Sequence, residues 1–530
     1  MANYKEIIDA YMNFFVCHLL ESVDDTKTKM YFEEIYSFKK QFDKNVEKCI
    51  YELHIPDIYS TEEKDIIVFL DALISSLRNK IRNQLKEIDS RERKIIFYML
   101  AAFQAEFHGR VNVLIDGGKL DLTSAYQLER CVLELVMNKK YVFEIKAICA
   151  MDKYTVQMIF QECLMAQHIQ ESSIETVMNT EIFAKIYGNA LTVMELISKR
   201  WMLLLGVLNN PILNIENGRV EFQGSFVYDI EKYVSKLEAD TRQYQNAYPE
   251  NVINLLDNNF QKMYGFRVDT IEKIAGSMSK LFADNNLVTE SNYATIIREI
   301  MLTSNCTIEE AENIFAYMIV DETKKVGKLY ESPEKDNNRI FEKCILKVGE
   351  DRYLYSHILI GYAYLILLRK LEFNLLEKCE RLNAQIIEKK IKKKFEEEAQ
   401  LYIKQYYPNA LSNVHKLDNG AMLSNEIDIL FAINGNLYIV ECKDVTFRYT
   451  PNGFMADIRK EREFVKDMIS KKKSVIDNIT YFEKKFERKI SEVKGYLVYR
   501  TANFVTEMVK GDKDITIMSF EELKKTLSQM

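Results

Sequence analysis

Apolar residues recur at helical spacing almost without interruption from the start of the chain to about residue 330, so this stretch is predicted to be mainly α-helical. "STEEKDIIVFLDALISSL" opens with Ser60 and Glu63 in capping-box spacing, and "TIEEAENIFAYMIV" repeats the device with Thr307 and Glu310. "NNPILNIENGRVEFQG", from Asn209, sets Pro and Gly around short alternating pieces, the pattern of a loop or small hairpin that divides the helical region near 209–224. The texture changes near Pro333. Residues 331–385 read as a linker carrying a β-hairpin around "GED" and a helix. From 386 to 530 the order is helix, strand pair, long helix, strand, strand and a closing helix begun by Ser519 and Glu522, which describes a small α/β layer domain with a mixed central sheet.

One stretch breaks the pattern of its own element. In "NEIDILFAINGNLYIVECKD" (residues 425–444), Asn434-Gly435 is a strong hairpin signal, because a type I′ turn needs positive φ at both central positions. Pairing outward from that turn places Asp428 opposite Glu441 and Glu426 opposite Lys443. One face then gathers four charges. The other carries Ile427, Ile429, Phe431, Ile433, Tyr438, Val440 and Cys442 and belongs to a core. Because Leu430, Ala432, Leu437 and Ile439 share the charged face near the turn, the sheet is expected to be covered on both sides, with the charges at its rim.

Directly opposed carboxylates destabilise a strand pair, and with Cβ atoms about 5 Å apart they can aim at one hard divalent cation. Lys443 lies two residues past Glu441 on the same face, about 6 to 7 Å along the strand, within reach of an anion or water at such a cation. That combination suits metal-assisted phosphodiester hydrolysis with Mg²⁺ or Mn²⁺, the lysine stabilising charge that develops in the transition state.

The arrangement resembles the PD-(D/E)XK nuclease superfamily. The matching residues are "EID" at 426–428 and "ECK" at 441–443, within a stretch of about 386–530, and the likeness is greatest to the branch of Holliday-junction resolvases and Mrr-like restriction proteins. Where the family has a proline before its aspartate, this chain has Ile427. The resemblance implies a restriction-endonuclease-like fold, Asp428 and Glu441 as metal ligands with the Cys442 carbonyl as a third, Lys443 as the catalytic lysine, and DNA as substrate ahead of RNA. It also implies an acidic residue on the helix around "KKKFEEEAQLYIKQYY". The family's habit of an apolar residue just before that glutamate favours Glu396, with Glu398 as the alternative.

Composition and charge narrow the rest. The nine cysteines and six histidines are scattered without a C-x-x-C pair, so neither a zinc cage nor a disulfide framework is indicated and a reducing cytoplasm fits. No apolar run approaches the roughly 20 residues of a membrane span. Residues 386–530 hold 26 basic and 22 acidic side chains, a surplus near +4 in a chain that is −7 overall, so the remainder is near −11. Only the C-terminal part has the charge of a nucleic-acid binder. Within it, "TFRYTPNGF" interleaves Arg448 and Tyr449 with other aromatics in a manner suited to stacking and phosphate contact. Arg459 and Lys460, with Arg462 and Lys466, stand on the following helix where they could track a phosphate backbone.

The acidic helical region carries no phosphate loop or catalytic triad. Self-association, substrate recognition or a regulatory partner would act there, and restriction or anti-phage defence is a setting in which such fusions make sense. A rival chemistry is the R-x4-H spacing of Arg352 and His357, which resembles HEPN ribonucleases, although there the motif lies on a helix and here it falls in a β-like run. A catalytically inactive nuclease fold that only grips nucleic acid is the other alternative.

Overall fold

The computed structural model describes residues 4–23, 34–115, 117–123, 125–166, 177–204, 208–216, 218–226, 250–281, 287–322, 339–372, 376, 378–387, 393–444, 451–500 and 515–529. The chain is mostly helical and forms two compact units, one of Met1–Ser225 with Phe260–Arg369 and one of Phe226–Asn259 with Lys370–Met530.

The first unit is built on long helices, among them Glu63–Lys86, Ser90–Ile115, Val142–Ala166 and Thr180–Leu204. Their shared interior is aromatic, with Tyr11, Phe14, Phe97, Phe107, Phe183 and Tyr187 all fully buried. The Thr307–Glu310 capping box forms, each side chain taking the other's backbone amide. The one expected at Ser60 and Glu63 does not. Ser60 ends a short strand, Ile58–Ser60, and its hydroxyl accepts from the Glu62 amide instead, while the helix begins at Glu63. That strand pairs antiparallel with Leu208–Glu216, which neighbours Arg219–Phe226, so the segment expected as a loop or hairpin is a hairpin completing a three-stranded sheet.

The expected boundary near Pro333 lies outside the described residues. The compact units divide after Ser225, Asn259 and Arg369, and the 345–355 hairpin falls in the first of them. Its strands Ile345–Gly349 and Arg352–Tyr355 join Thr289–Ser291 in a sheet of the first unit. Arg352 therefore lies on a strand and His357 at the start of the next helix, His357–Glu372, so the R-x4-H pair does not share the helix its chemistry uses.

The second unit holds a five-stranded mixed sheet, ordered Ile515–Ser519, Glu492–Tyr499, Asn436–Lys443, Met422–Ile433, Leu411–Lys416. The first three run parallel and the last three antiparallel. Asn434 and Gly435 have φ of 51° and 78°, the positive pair that the tight turn demands, and the ladder runs from Ile433–Asn436 to Ile429–Val440 in the expected register. Both faces are covered. Helices Lys393–Tyr406 and Phe520–Gln529 pack Phe395, Ala399, Ile403, Phe520 and Leu523 against Ile429, Phe431, Tyr438 and Val440. The opposite face buries Leu430, Leu437 and Ile439 under Met468 and Val475 of helix Pro451–Asp477 and under Phe482 of helix Ile479–Phe486. The closing helix is capped by Ser519 and Glu522, which exchange amide hydrogen bonds as expected.

One residue changes sides. Alternation would put Ile427 with Ile429, yet Ile427 packs in the opposite core with Leu423 and Leu430. The ladder to Asn436–Lys443 stops at Ile429, while pairing to Leu411–Lys416 continues to Val414–Ile427.

The turn makes a direct prediction. A Cβ at Gly435 would demand left-handed backbone of an L-residue and approach Ser491 Oγ to 3.2 Å. Gly435→Ala should therefore lower the stability of the second unit by about 1–2 kcal/mol in chemical denaturation. An unchanged midpoint would contradict the turn assignment.

Candidate functional site

Where the ladder ends, side chains take over the backbone groups it leaves. Asp428 Oδ2 accepts the Cys442 amide at 2.7 Å, and the Asp428 amide points to Glu441 Oε1 at 3.4 Å. The two carboxylates thus face each other across the strand ends, as their register in the sequence implies. Glu441 is almost wholly buried, and its Oε2 is held by two ammonium groups: Lys443 Nζ at 3.0 Å and Lys471 Nζ at 2.7 Å. Lys471 reaches down from helix Pro451–Asp477 and also bonds Asp467, one turn earlier, at 3.1 Å. Asn425 Nδ2 in turn donates to Asp467.

Electrostatics follow this geometry. Burial, then the like charge of Glu441, push Asp428 up to about 7, with Glu396 adding to the effect while the Cys442 amide and Lys443 oppose it. Burial disfavours the charge on Lys443, but Glu441 and Asp428 outweigh it and hold the lysine protonated. Its Nζ also lies 5.0 Å from the Phe464 ring centre.

Of the two helical glutamates, Glu396 is the one whose field reaches Asp428, whereas Glu398 is exposed. The helix is oriented by Gln400, four residues on, whose Nε2 donates to Asn413 Oδ1 at 2.9 Å and to the Asp428 carbonyl at 3.4 Å. Cys442 contributes its amide and turns its thiol into the core, so any part it takes as a ligand is through its carbonyl. Glu426 is exposed, and Lys443 bonds Glu441 in place of the expected cross-strand Glu426. Arg459 and Lys460 are exposed on the outer face of their helix, as are Arg462 and Lys466. Arg448 and Tyr449 lie outside the described residues.

Three contributors escape sequence reasoning. Lys471, Asp467 and Glu461 all come from the long helix, where Glu461 and Lys471, each three residues from Phe464 or Met468, share their buried stripe and Asp467 lies half-buried at its flank. Glu461 is buried, accepts the Tyr499 hydroxyl, and is pushed up to about 7 by that burial, against the pull of Tyr499 and Lys443. Its Oε1 has no partner. Tyr499 pairs in register with Lys443 on the neighbouring parallel strand, so this acid sits beside the lysine. A signal existed: charged residues recur on the same helical stripe as Phe464, Met468 and Val475, where a helix face packed on a sheet would carry apolar side chains only.

Among the described residues, no three His, Cys, Asp or Glu side chains gather closely enough to hold a metal ion as they stand. The donor set is two carboxylates. That suits Mg²⁺, which keeps most of its waters and is commonly bound through one or two carboxylates plus a substrate phosphate. It would not suit Zn²⁺, whose structural sites need four protein ligands. No known protein family, curated protein or solved structure matches this chain.

The charge arrangement separates the two carboxylates by experiment. Asp428 has a folded-state pKa above its unfolded value of about 3.9, so its contribution to stability is complete below that value and is lost as pH rises through about 7. Asp428→Asn keeps the acceptor for Cys442 and removes the charge. Relative to the wild type it should gain stability between pH 5 and pH 8, read from denaturant midpoints. Glu441→Ala should behave oppositely and lose stability, by up to about 3–5 kcal/mol, because Lys443 loses its carboxylate and Lys471 keeps only Asp467. Equal effects of the two substitutions would refute this division.

Proposed function

We propose that the second unit is a metal-dependent nuclease of the PD-(D/E)XK kind, with a restriction-endonuclease-like core, acting on DNA in preference to RNA. The observation that carries the proposal is the apposition of Asp428 and Glu441 at a ladder end, with Lys443 bonded to Glu441 and the charge of Glu396 reaching Asp428 from a helix. This charge-dense rim sits at the edge of two apolar cores, where Asp428 and Glu441 repel one another.

Asp428 and Glu441 would hold Mg²⁺ or Mn²⁺, with the Cys442 carbonyl available beside them. The cation supplies Lewis-acid polarisation of a phosphoryl oxygen and a more acidic bound water. Lys443, protonated and anchored on Glu441, can turn its ammonium to a scissile phosphate and stabilise the charge that accumulates there. Glu396, whose charge reaches Asp428, would orient water through hydrogen bonding. The surplus of basic residues after 386 offsets the repulsion between an acidic chain and a polyanion.

A second reading has a specific observation in its favour. Glu441 is already neutralised by two lysines, so the strand ends are electrostatically tolerable without a cation, as in a nuclease fold kept only for nucleic-acid binding.

Cleavage assays with Mg²⁺ or Mn²⁺ on single-stranded, duplex and branched DNA, and on RNA, separate the two. The nuclease reading expects metal-dependent products that vanish in Asp428→Asn. Lys443→Met should reduce turnover by about 10²–10³-fold, the scale of losing one preorganised electrostatic group, without loosening the metal. Binding of nucleic acid with no cleavage under any of these conditions would establish the second reading.

A further inference from the structure

Lys471 is a buried ammonium with two anionic partners, only one of which belongs to the strand pair. Its side chain is 5 % exposed and that of Glu441 is 2 % exposed, so neither charge can be relieved by solvent. A divalent cation between Asp428 and Glu441 would meet both ammonium groups that now hold Glu441 Oε2. Like charges at such separations inside a protein repel strongly, so the ammoniums must withdraw for the cation to be held. Lys443 has an outlet at the rim, where its side chain is 19 % exposed and a substrate phosphate would lie. Lys471 has no outlet to water. Its second partner, Asp467, is already in contact at 3.1 Å on the same helix and is itself fixed by Asn425.

Withdrawing the helix to make room would uncover the apolar core beneath it. Met468, one turn before Lys471, is fully buried, and a Cβ at Gly495 would come within 2.9 Å of it, so helix and sheet are already in close contact there. The adjustment open to Lys471 is a side-chain shift from Glu441 to Asp467.

We infer that Lys471 is an exchangeable counter-ion built into this site: it holds Glu441 while no cation is present and passes to Asp467 when a divalent cation binds. This rests on the metal-dependent reading given above. Lys471 is thus a positioning residue. It keeps the isolated site a weak metal binder, so that tight cation binding requires the phosphate that draws Lys443 outward. Divalent cation and polyanionic substrate then bind with positive coupling.

Isothermal titration of the full-length chain with Mn²⁺ tests this without reference to cleavage. The signal at the site is defined as the part abolished by Asp428→Asn. Lys471→Met should tighten Mn²⁺ binding by about tenfold or more, equivalent to about 1.4 kcal/mol, whereas Asp467→Asn should weaken it by about threefold or more because Lys471 then has only Glu441. A purely structural ion pair would give no such opposed shifts. If the wild type binds Mn²⁺ through Asp428 but Lys471→Met binds equally or less tightly, the counter-ion role is wrong while the metal site stands. Should Lys471→Met fail to fold, Asp467→Asn decides, and unchanged affinity in that variant overturns the inference. If no Asp428-dependent binding occurs in any variant, the metal-dependent reading fails and the inference with it.

Discussion

Glu441 is a carboxylate taken almost completely out of water at the end of a strand, and the arrangement around it is a set of answers to that charge. Burying an isolated carboxylate would cost several kcal/mol, and two ammonium groups at 3.0 and 2.7 Å make it tolerable. One of them, Lys443, belongs to the same strand and needs no tertiary arrangement. The other, Lys471, arrives from the long helix and so fixes how that helix lies across the sheet. The close passage of Met468 over Gly495 and the apolar contacts of Val475 serve the same register. Asp428 then faces a partner whose position is set from the other side.

The site occupies the place where mixed sheets expose chemistry. Strands Asn436–Lys443 and Glu492–Tyr499 run parallel, and Lys443 and Tyr499 stand paired at their carboxyl ends, where open sheets commonly bind ligands. Regular pairing with the antiparallel neighbour stops one residue short of Asp428, so its carboxylate can cap the Cys442 amide while remaining at the rim. Helix Lys393–Tyr406 brings Glu396 from the opposite face, held by Gln400 on the Asp428 carbonyl. Charges from both covering layers therefore converge on a single edge of the sheet.

Local chemistry made much of this legible. Asn434-Gly435 fixes the turn because few other residue pairs accept positive φ twice, and a known turn fixes every pairing outward to Ile429 and Val440. The apolar residues on both sides of those strands announce a sheet with two covers. Long-range partners were not legible in this way. Lys471 lies among three consecutive lysines that look like a solvated helix surface, and only the packing shows that Lys471 and Lys472 are buried while Lys473 is exposed. Ile427 departs from alternation beyond the last pair with Asn436–Lys443, an event no period reveals. The partner of the 345–355 hairpin was hidden for a related reason: the hairpin looks local, yet its sheet partner, Thr289–Ser291, is more than fifty residues earlier.

The central claim is that Asp428 and Glu441 are held apart from their ordinary strand pairing to share a cation. Anomalous diffraction at the manganese edge, from crystals of the full-length chain grown with Mn²⁺, tests it most directly. The account predicts a peak bridging the Asp428 and Glu441 carboxylates, with Lys471 Nζ withdrawn from Glu441 toward Asp467. Saturating Mn²⁺ with no peak at these carboxylates, and with both lysines still on Glu441, would contradict it.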